Sequence, residues 1–337
     1  MTEPAPRIVF VGNAIVDVLG AGDDGFLAAQ GLGKGLMHPV DEAGADRLHG
    51  LLGTVAIVAG GSAANSAAVA AALGTGCAFL GKVRDDTAGR TFVAAMTAAG
   101  VDFPVPPAAA GPATSRSVVV VTPDAERTMA TQLGACQTLA ADDVDEALVA
   151  GAGRLFLEGY AWTSPSLAPA CRKALAAARG AGRPAALTLS DAGLAAAHRD
   201  AFLGLVREGH VDLVFANRRE ALALAGTDDE GEALARLRRE RGTWVVTRSG
   251  EGCLVVSGDF VEAVPAVPVA RVVDTTGAGD AFAGGFLSGL AAGLPPVRAA
   301  RLAGLAAGHV IGRVGARPGS ELPDLAAAAG LSGPTAA

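Results

Sequence analysis

An α/β fold built on a mainly parallel sheet, with a small second β-sheet beside it, is what the 337-residue sequence predicts. Short β-branched runs alternate with Ala/Leu-rich stretches of helical period for most of the length, the pattern of repeated strand-helix-strand units. Half of the residues are apolar but only 4% are aromatic, so the core must come from Ala, Val and Leu, with 46 glycines available for close turns. Two regions break the alternation: residues 13–19 with 35–40, and residues 101–131, which are strand-rich and carry Pro104, Pro106, Pro107 and Pro112. These are expected to form the small sheet, a lid at about 13–20, 35–40 and 101–131, on a single unit spanning 1–337.

The elements follow in order. Residues 7–12 form a first strand, 63–73 a helix after a Gly-Gly turn, 77–82 a strand, and 85–99 a helix whose start Asp85 and Asp86 favour. Strands are expected at 154–158, 185–189, 212–216, 243–248 and 253–257, with helices at 167–179, 200–208 and 229–241 between them. Helices at 278–292 and 297–313 close the pattern.

Charge and cysteine usage exclude several classes. With 27 Lys plus Arg against 34 Asp plus Glu, the net charge is -7 and no dense basic run appears, so nucleic acid is not an expected partner. Cys77, Cys136, Cys171 and Cys253 lie far apart without metal-ligand spacing and read as buried reduced thiols. The first residues lack a basic segment followed by an apolar one, and the Ala-rich stretch 63–80 is interrupted by Asn65, Gly74 and Gly76. A cytoplasmic protein with no membrane contact is expected, as a monomer or homodimer.

The strongest chemical signal is Asp274-Thr-Thr-Gly-Ala-Gly-Asp280, which places a glycine turn directly before a helix. Amides of Gly277, Ala278 and Gly279 in such a turn can face an anion, and the helix dipole adds positive potential there. Asp280 falls in the first helical turn. It would serve there as a general base beside the anion or as an ordinary cap, and two glycines just before it favour the base. Gly33-Lys34-Gly35 lacks the spacing and hydroxyl of a P-loop. Gly20-Ala-Gly22-Asp-Asp-Gly25, with Asp41 beyond, imitates a dinucleotide fingerprint, but Gly31, Gly33 and Gly35 interrupt the helix it would need. Asn217 and Glu220 have the spacing of a helix cap with its capping box. Asp17, on an apolar run after the first strand, is either exposed at a sheet edge or holds polyol hydroxyls.

The segment 274–286 resembles the second signature of the ribokinase-like (PfkB) kinase family, and Ala59-Gly60-Gly61-Ser62-Ala63-Ala64-Asn65-Ser66 resembles the first. The resemblance runs from Ile8 to about Pro318. It implies a three-layer α/β/α domain with a small β-sheet lid, and ATP-dependent phosphoryl transfer to a hydroxyl. On this resemblance Asp280 is the catalytic base and Gly277, Ala278 and Gly279 form the anion hole. Asn217 and Glu220 organise Mg²⁺ through water, and Thr247, Ser249 and Gly252 lie near the phosphates and ribose of ATP, although a plain hairpin would also explain that segment. Asp274, Thr276, Gly315 and Ala316 match a monovalent-cation site, which implies K⁺. Asp17 would grip vicinal hydroxyls of the acceptor, with Asn13, Gly60, Gly61 and Asn65 around it.

Within the family the chain is most similar to bacterial adenosine kinases, through residues 24–32 and Glu126-Arg127-Thr128-Met129-Ala130-Thr131-Gln132-Leu133. That likeness implies that Arg127 neutralises the transferred phosphoryl group, that Met129, Thr131 and Leu133 line a base pocket, and that Tyr160 stacks on the base. Met37-His38 departs from the Met-Gln of bacterial relatives. The implied reaction is phosphorylation of a ribonucleoside 5′-hydroxyl, adenosine to AMP; the alternative is a sugar kinase acting on fructose, ribose or 2-keto-3-deoxygluconate. A non-catalytic ligand-binding relative would have no use for the base, the anion hole and the Asn-x-x-Glu pair together.

Overall fold

Alternating side chains decide how the chain layers itself. In the computed structural model, which describes residues 7–124 and 126–331, the first strand β1 (Arg7–Val11) sends Val9 and Val11 to one side and Ile8 and Phe10 to the other, and all four are buried. A strand buried on both faces needs helices on both. Residues 1–6, read above for a leader, lie outside the described residues.

The remaining strands are β2 (Ile15–Ala21), β3 (Met37–Pro39), β4 (Gly53–Gly60), β5 (Gly76–Leu80), β6 (Val101–Asp102), β7 (Ser115–Val121), β8 (Arg127–Gln132), β9 (Arg154–Glu158), β10 (Ala185–Thr188), β11 (Leu213–Asn217), β12 (Thr243–Thr247), β13 (Cys253–Ser257) and β14 (Phe260–Val264). Nine of the fourteen form one sheet in the order β14-β13-β12-β11-β10-β9-β1-β5-β6. It is parallel from β6 to β12 and ends in the antiparallel pairs β12-β13 and β13-β14. Helices Ser62–Ala72, Thr87–Ala98, Ala278–Ala291 and Pro296–Ile311 cover the Phe10 face, while Leu167–Gly180, Arg199–Arg207, Arg218–Ala225 and Glu230–Leu237 cover the Val9 face. The expected three-layer α/β/α arrangement is thus observed.

The few aromatics are concentrated in the core under the Phe10 face. Phe10 and Phe156 lie 5.4 Å apart between ring centroids, Phe156 and Phe215 6.2 Å, and Phe215 reaches Phe286 on the helix Ala278–Ala291 at 5.4 Å. This file of rings fixes that helix on the sheet. The parallel strands all end at one edge, where β9 stops at Glu158, β11 at Asn217 and β12 at Thr247, and ligands of open α/β sheets bind at such an edge.

The other five strands make a second sheet in the order β3-β8-β7-β2-β4. One face packs Val118, Val120 and Ala130 against Leu27 of helix Asp24–Ala29 and Leu48 of helix Glu42–Leu51. On the other face the register sets Asp17 opposite Ser117, and Ser117 opposite Thr131. Three strand expectations need correction. Val101–Asp102 pairs with β5 and so belongs to the large sheet, because the chain leaves helix Thr87–Ala98 along the sheet edge before turning away. The edge strand β4 was not anticipated: its only partner is β2, and it exposes Val55 and Ile57, so it lacks the alternation that marks a half-buried strand. The edge strand β14 was also missed, for the same reason.

The four cysteines are buried and form no disulfide. Among the described residues no helix is long and apolar enough to cross a membrane. Phe156→Ala, which removes the middle ring of the aromatic file, is expected to destabilise the protein by about 3–5 kcal/mol in urea denaturation, as for other fully buried phenylalanines.

Candidate active site

The turn joining β4 to helix Ser62–Ala72 organises the site. Gly61 has φ of 89°, in the region that favours glycine, and a side chain there would strike the carbonyl oxygen of Asn13. A side chain at Gly60 would strike the Asp17 carboxylate, so Asp17 lies directly on the backbone of the turn. Two residues later the helix begins, and its first two turns reach across to the base candidate. Ser62 Oγ donates to Asp280 Oδ1 at 2.7 Å and Asn65 Nδ2 donates to Asp280 Oδ2 at 2.9 Å. Both carboxylate oxygens are therefore held, and Asp280 has one defined orientation.

Asp280 stands in the first turn of helix Ala278–Ala291, after Gly277 in left-handed conformation with φ of 74°. Ala316 packs so tightly on Gly277 that no side chain would fit. The amides of a first helical turn have no partner within the helix, which leaves those of Gly277 and Gly279 to face an anion. Ala278 differs from expectation: its N–H donates to Thr275 O at 3.2 Å, closing the turn. Burial raises the Asp280 carboxyl above its ordinary range, against the opposing bonds from Asn65 and Ser62 and the positive charge of Arg317.

Asp17, Ser117 and Thr131 form a polar row across the inner face of the small sheet, with Ser117 Oγ and Thr131 Oγ1 2.9 Å apart. Val119 and Met129, paired two positions along, and Met37, paired with Met129, continue that face as an apolar surface. Leu133 lies past the end of β8 and is 39% exposed, so it does not share the strand face with Met129 and Thr131 as the period-two reading expected. Burial pushes the Asp17 carboxyl up to about 7, while Arg127 and Arg317 pull it down and Asp280 pushes it further up. Asn13 N and Nδ2 donate to Glu158 Oε1 at 2.8 and 2.7 Å, and Ala63 N donates to Glu158 Oε2 at 2.9 Å. The side-chain oxygens of Asn13 and Asn65 are buried without a partner. Tyr160 follows β9 in a short 3-10 helix and donates its hydroxyl to the Ser190 carbonyl at 3.3 Å.

A cleft of about 640 Å³ is lined by Thr247, Ser249 and Gly252 of the β12-β13 hairpin and by Thr275, Ala278 and Gly279 just before Asp280. Its remaining wall is apolar, from Val264 to Val269 and the helix face bearing Ala300, Gly304 and Gly308. The antiparallel pairing of β12 with β13 makes the expected hairpin, and Ser249 in its turn has φ of 52°, a conformation that favours glycine. Asn217 and Glu220 form the full capping box: Glu220 N donates to Asn217 Oδ1 at 2.9 Å and Asn217 N to Glu220 Oε2 at 2.9 Å. Burial pushes Glu220 up to about 7, and Asp191 and Asp280 add to the rise by their negative charge.

Metal expectations divide. Among the described residues no three His, Cys, Asp or Glu side chains gather closely enough to hold a metal directly. Glu220, facing two other carboxylates, fits a divalent ion only through water and the phosphates of a bound nucleotide. The cation site expected from Asp274, Thr276, Gly315 and Ala316 does not fit: Asp274 Oδ1 accepts from Thr276 N at 3.0 Å, and Asp274 Oδ2 accepts from Gly315 N at 2.6 Å and pairs with Arg127. A carboxylate whose oxygens already face N–H donors has little left for K⁺. The dinucleotide reading fails as well, because the helix Asp24–Ala29 that would receive a pyrophosphate has only 6 residues and belongs to the small sheet.

Sequence reading missed three residues. Ser62 lay inside a recognised segment without an assigned role. Glu158 was available as a carboxylate ending a buried parallel strand at the ligand edge, and that signal was used only to place Tyr160. Arg317 carried no local signal, since it lies in a loop and its neighbours in space come from distant segments.

Comparison with known proteins gives the family and the fold. The model of the pfkB family of carbohydrate kinases matches residues 35–323. The crystal structure of adenosine kinase from Sinorhizobium meliloti superposes with a TM-score of 0.92 at 43% identity, covering 97% of this chain and 100% of that one. That of a probable sugar kinase protein from Rhizobium etli CFN 42 gives 0.92 at 41%, covering 97% and 99%. A cytidine kinase of Thermococcus kodakarensis is 45% identical over 104 residues, a segment that makes up 29% of this chain and 37% of that protein.

The raised Asp17 carboxyl makes a stability prediction. A group that holds its proton more tightly folded than unfolded costs stability when ionised, and that cost is full above its folded value and gone below its unfolded one. Asp17→Asn is therefore expected to raise the melting temperature at pH 8, with the gain falling steadily as pH drops from 7 and absent by pH 3.8, as read by thermal denaturation across that range.

Proposed function

The chain belongs to the pfkB family of carbohydrate kinases, and from that premise we propose that it transfers the γ-phosphoryl group of ATP to the 5′-hydroxyl of a ribonucleoside, converting adenosine to AMP. The observation that carries the acceptor is the pair of buried, unpartnered oxygens on Asn13 and Asn65 beside Asp17, where the small sheet's polar row gives way to Val119, Met129 and Met37. Buried acceptors left unsatisfied are costly, and hydroxyls of a bound ribose would satisfy them. The apolar continuation suits a base. Full-length likeness to an adenosine kinase at 43% identity supports the same acceptor.

ATP lies in the cleft with its triphosphate toward Gly277 and Gly279, and the acceptor lies between Asp17 and Asp280. Asp280 accepts the hydroxyl proton as the oxygen attacks the γ-phosphorus in line and ADP leaves. Its raised affinity for protons improves it as a base, and the bonds from Ser62 and Asn65 keep it aimed. Amides of the first helical turn stabilise charge growing on the transferred group. Glu220 would hold Mg²⁺ through water, and the ion would supply charge neutralisation at the phosphates. Arg127 reaches the phosphoryl group by leaving Asp274, so nucleotide binding exchanges one anionic partner for another. Four buried cysteines outside any disulfide suit a reducing compartment such as the cytoplasm.

A second reading, a sugar kinase, is favoured by the equal structural likeness to a probable sugar kinase. Turnover read by coupled ADP release over a panel of adenosine, cytidine, fructose, ribose and 2-keto-3-deoxygluconate separates the two. Adenosine is expected to be the best acceptor, and turnover of a sugar without adenosine would overturn the nucleoside assignment. Asp280→Asn is expected to cut kcat by a factor on the order of 10² or more, as for loss of a general base, while ATP affinity measured by calorimetry stays within a few-fold.

A further inference from the structure

Arg317 is the one functional-site cation that sequence reading did not see, and its surroundings are unusual. It lies in the loop after helix Pro296–Ile311, where its Nε donates to the carbonyl oxygen of Ala59 at 3.2 Å and its two terminal nitrogens lie 3.6 and 3.5 Å from Met96 Sδ. Among the described residues it makes no ion pair. A half-buried guanidinium ordinarily takes a carboxylate partner, because a charge out of water costs free energy that one carbonyl and a thioether only partly recover. The carboxylates on which its charge acts are Asp17 and Asp280. Ala59 also precedes the Gly60 on which Asp17 lies, so the bond to Ala59 ties the cation to the turn that carries Asp17.

The groups facing these two carboxylates define the balance. Asp17 meets Arg127 of β8, Arg317 and Asp280. Asp280 meets Ser62 and Asn65, Arg317 and the Asp17 charge, and its own charge reaches Glu158 of β9 and Glu220 at the start of helix Arg218–Ala225. Arg127 is already paired with Asp274. That leaves Arg317 as the cation without another commitment in a site with several carboxylates.

We propose that Arg317 is a positioning residue of the transfer reaction: its guanidinium is a fixed charge that opposes protonation of Asp17 and Asp280, and its bond to Ala59 ties that charge to the β4 turn. The inference rests on the kinase reading for its link to catalysis, while the charge balance belongs to the protein itself. Two carboxylates in one dry site otherwise share a proton, which would remove either the acceptor's grip or the base. The arginine therefore serves both without touching the reacting atoms.

The test compares Arg317→Gln, Arg317→Met and Arg317→Lys with the parent. Removing the positive charge should move the acid limb of kcat/KM up by about one pH unit or more, the size of effect an adjacent cation has on a carboxylate, with little change in KM for ATP. Arg317→Lys should bring the limb most of the way back, because it restores charge without the guanidinium's geometry. An equal loss at every pH in all three variants, or no change in the limb, would overturn the proposal. Carboxyl-carbon NMR of Asp-labelled protein without acceptor reads the same titration with no turnover, with Asp17→Asn and Asp280→Asn assigning the signals. An unshifted titration in Arg317→Gln would overturn the proposal even if the parent phosphorylates no acceptor tried. A parent that lacks kinase activity but shows the shift would refute the kinase reading and leave the charge balance standing.

Discussion

Everything in the site hangs on the backbone between Ala59 and Asn65. In that short span the small sheet ends, Gly60 carries Asp17, Gly61 lies against Asn13, Ala63 holds Glu158, and Ser62 with Asn65 clamps Asp280. No side chain at Gly60 or Gly61 would leave room for these contacts, and only a residue free to take positive φ could turn the strand into the helix there. The turn thus fixes the separation of Asp17 and Asp280, the two carboxylates proposed to grip the acceptor and take its proton. It is a geometric constraint before it is a chemical one.

The same closeness creates an electrostatic difficulty. Asp17, Asp280, Glu158 and Glu220 are each raised by burial, and several raise one another. Hydrogen bonds offset part of this at Asp280, Glu158 and Glu220, and arginine charge offsets part of it at Asp17 and Asp280. The distribution is uneven. Glu158 is satisfied by three N–H donors, as a structural carboxylate would be, whereas Asp17 relies on charges from residues far away in sequence. A site of this kind is less stable than an apolar one of the same shape, which is the usual cost of reactive groups held in place.

Most of the fold was legible because the large sheet is buried on both faces and its strands read as β-branched runs between helical patterns. The expected strand at 154–158 and the helix starting at residue 278 agree with the structure to the residue at those positions. What escaped was the periphery. The edge strands β4 and β14 are exposed on most of their length, so no alternation marks them, and the short β6 has only two residues with which to declare its partner. In the site, residues within recognised segments could be placed in advance, including Asp280, Asp17 and Asn65. Arg317 could not, because what distinguishes it is proximity to Ala59 and Met96, some 220 to 260 positions away in the chain. Leu133 failed for a related reason: period two predicts a face only while the strand continues, and β8 stops at Gln132.

The two sheets also divide the labour of the site. Asp280, its amides and the cleft belong to the large sheet and its helices, whereas Met37, Val119 and Met129 stand on the small one. Substitutions on the inner face of the small sheet can therefore reshape what fits beneath it without disturbing the helix that carries Asp280. A chain built this way can drift among acceptors while its chemistry stays fixed, as a lathe keeps its spindle when the chuck is changed.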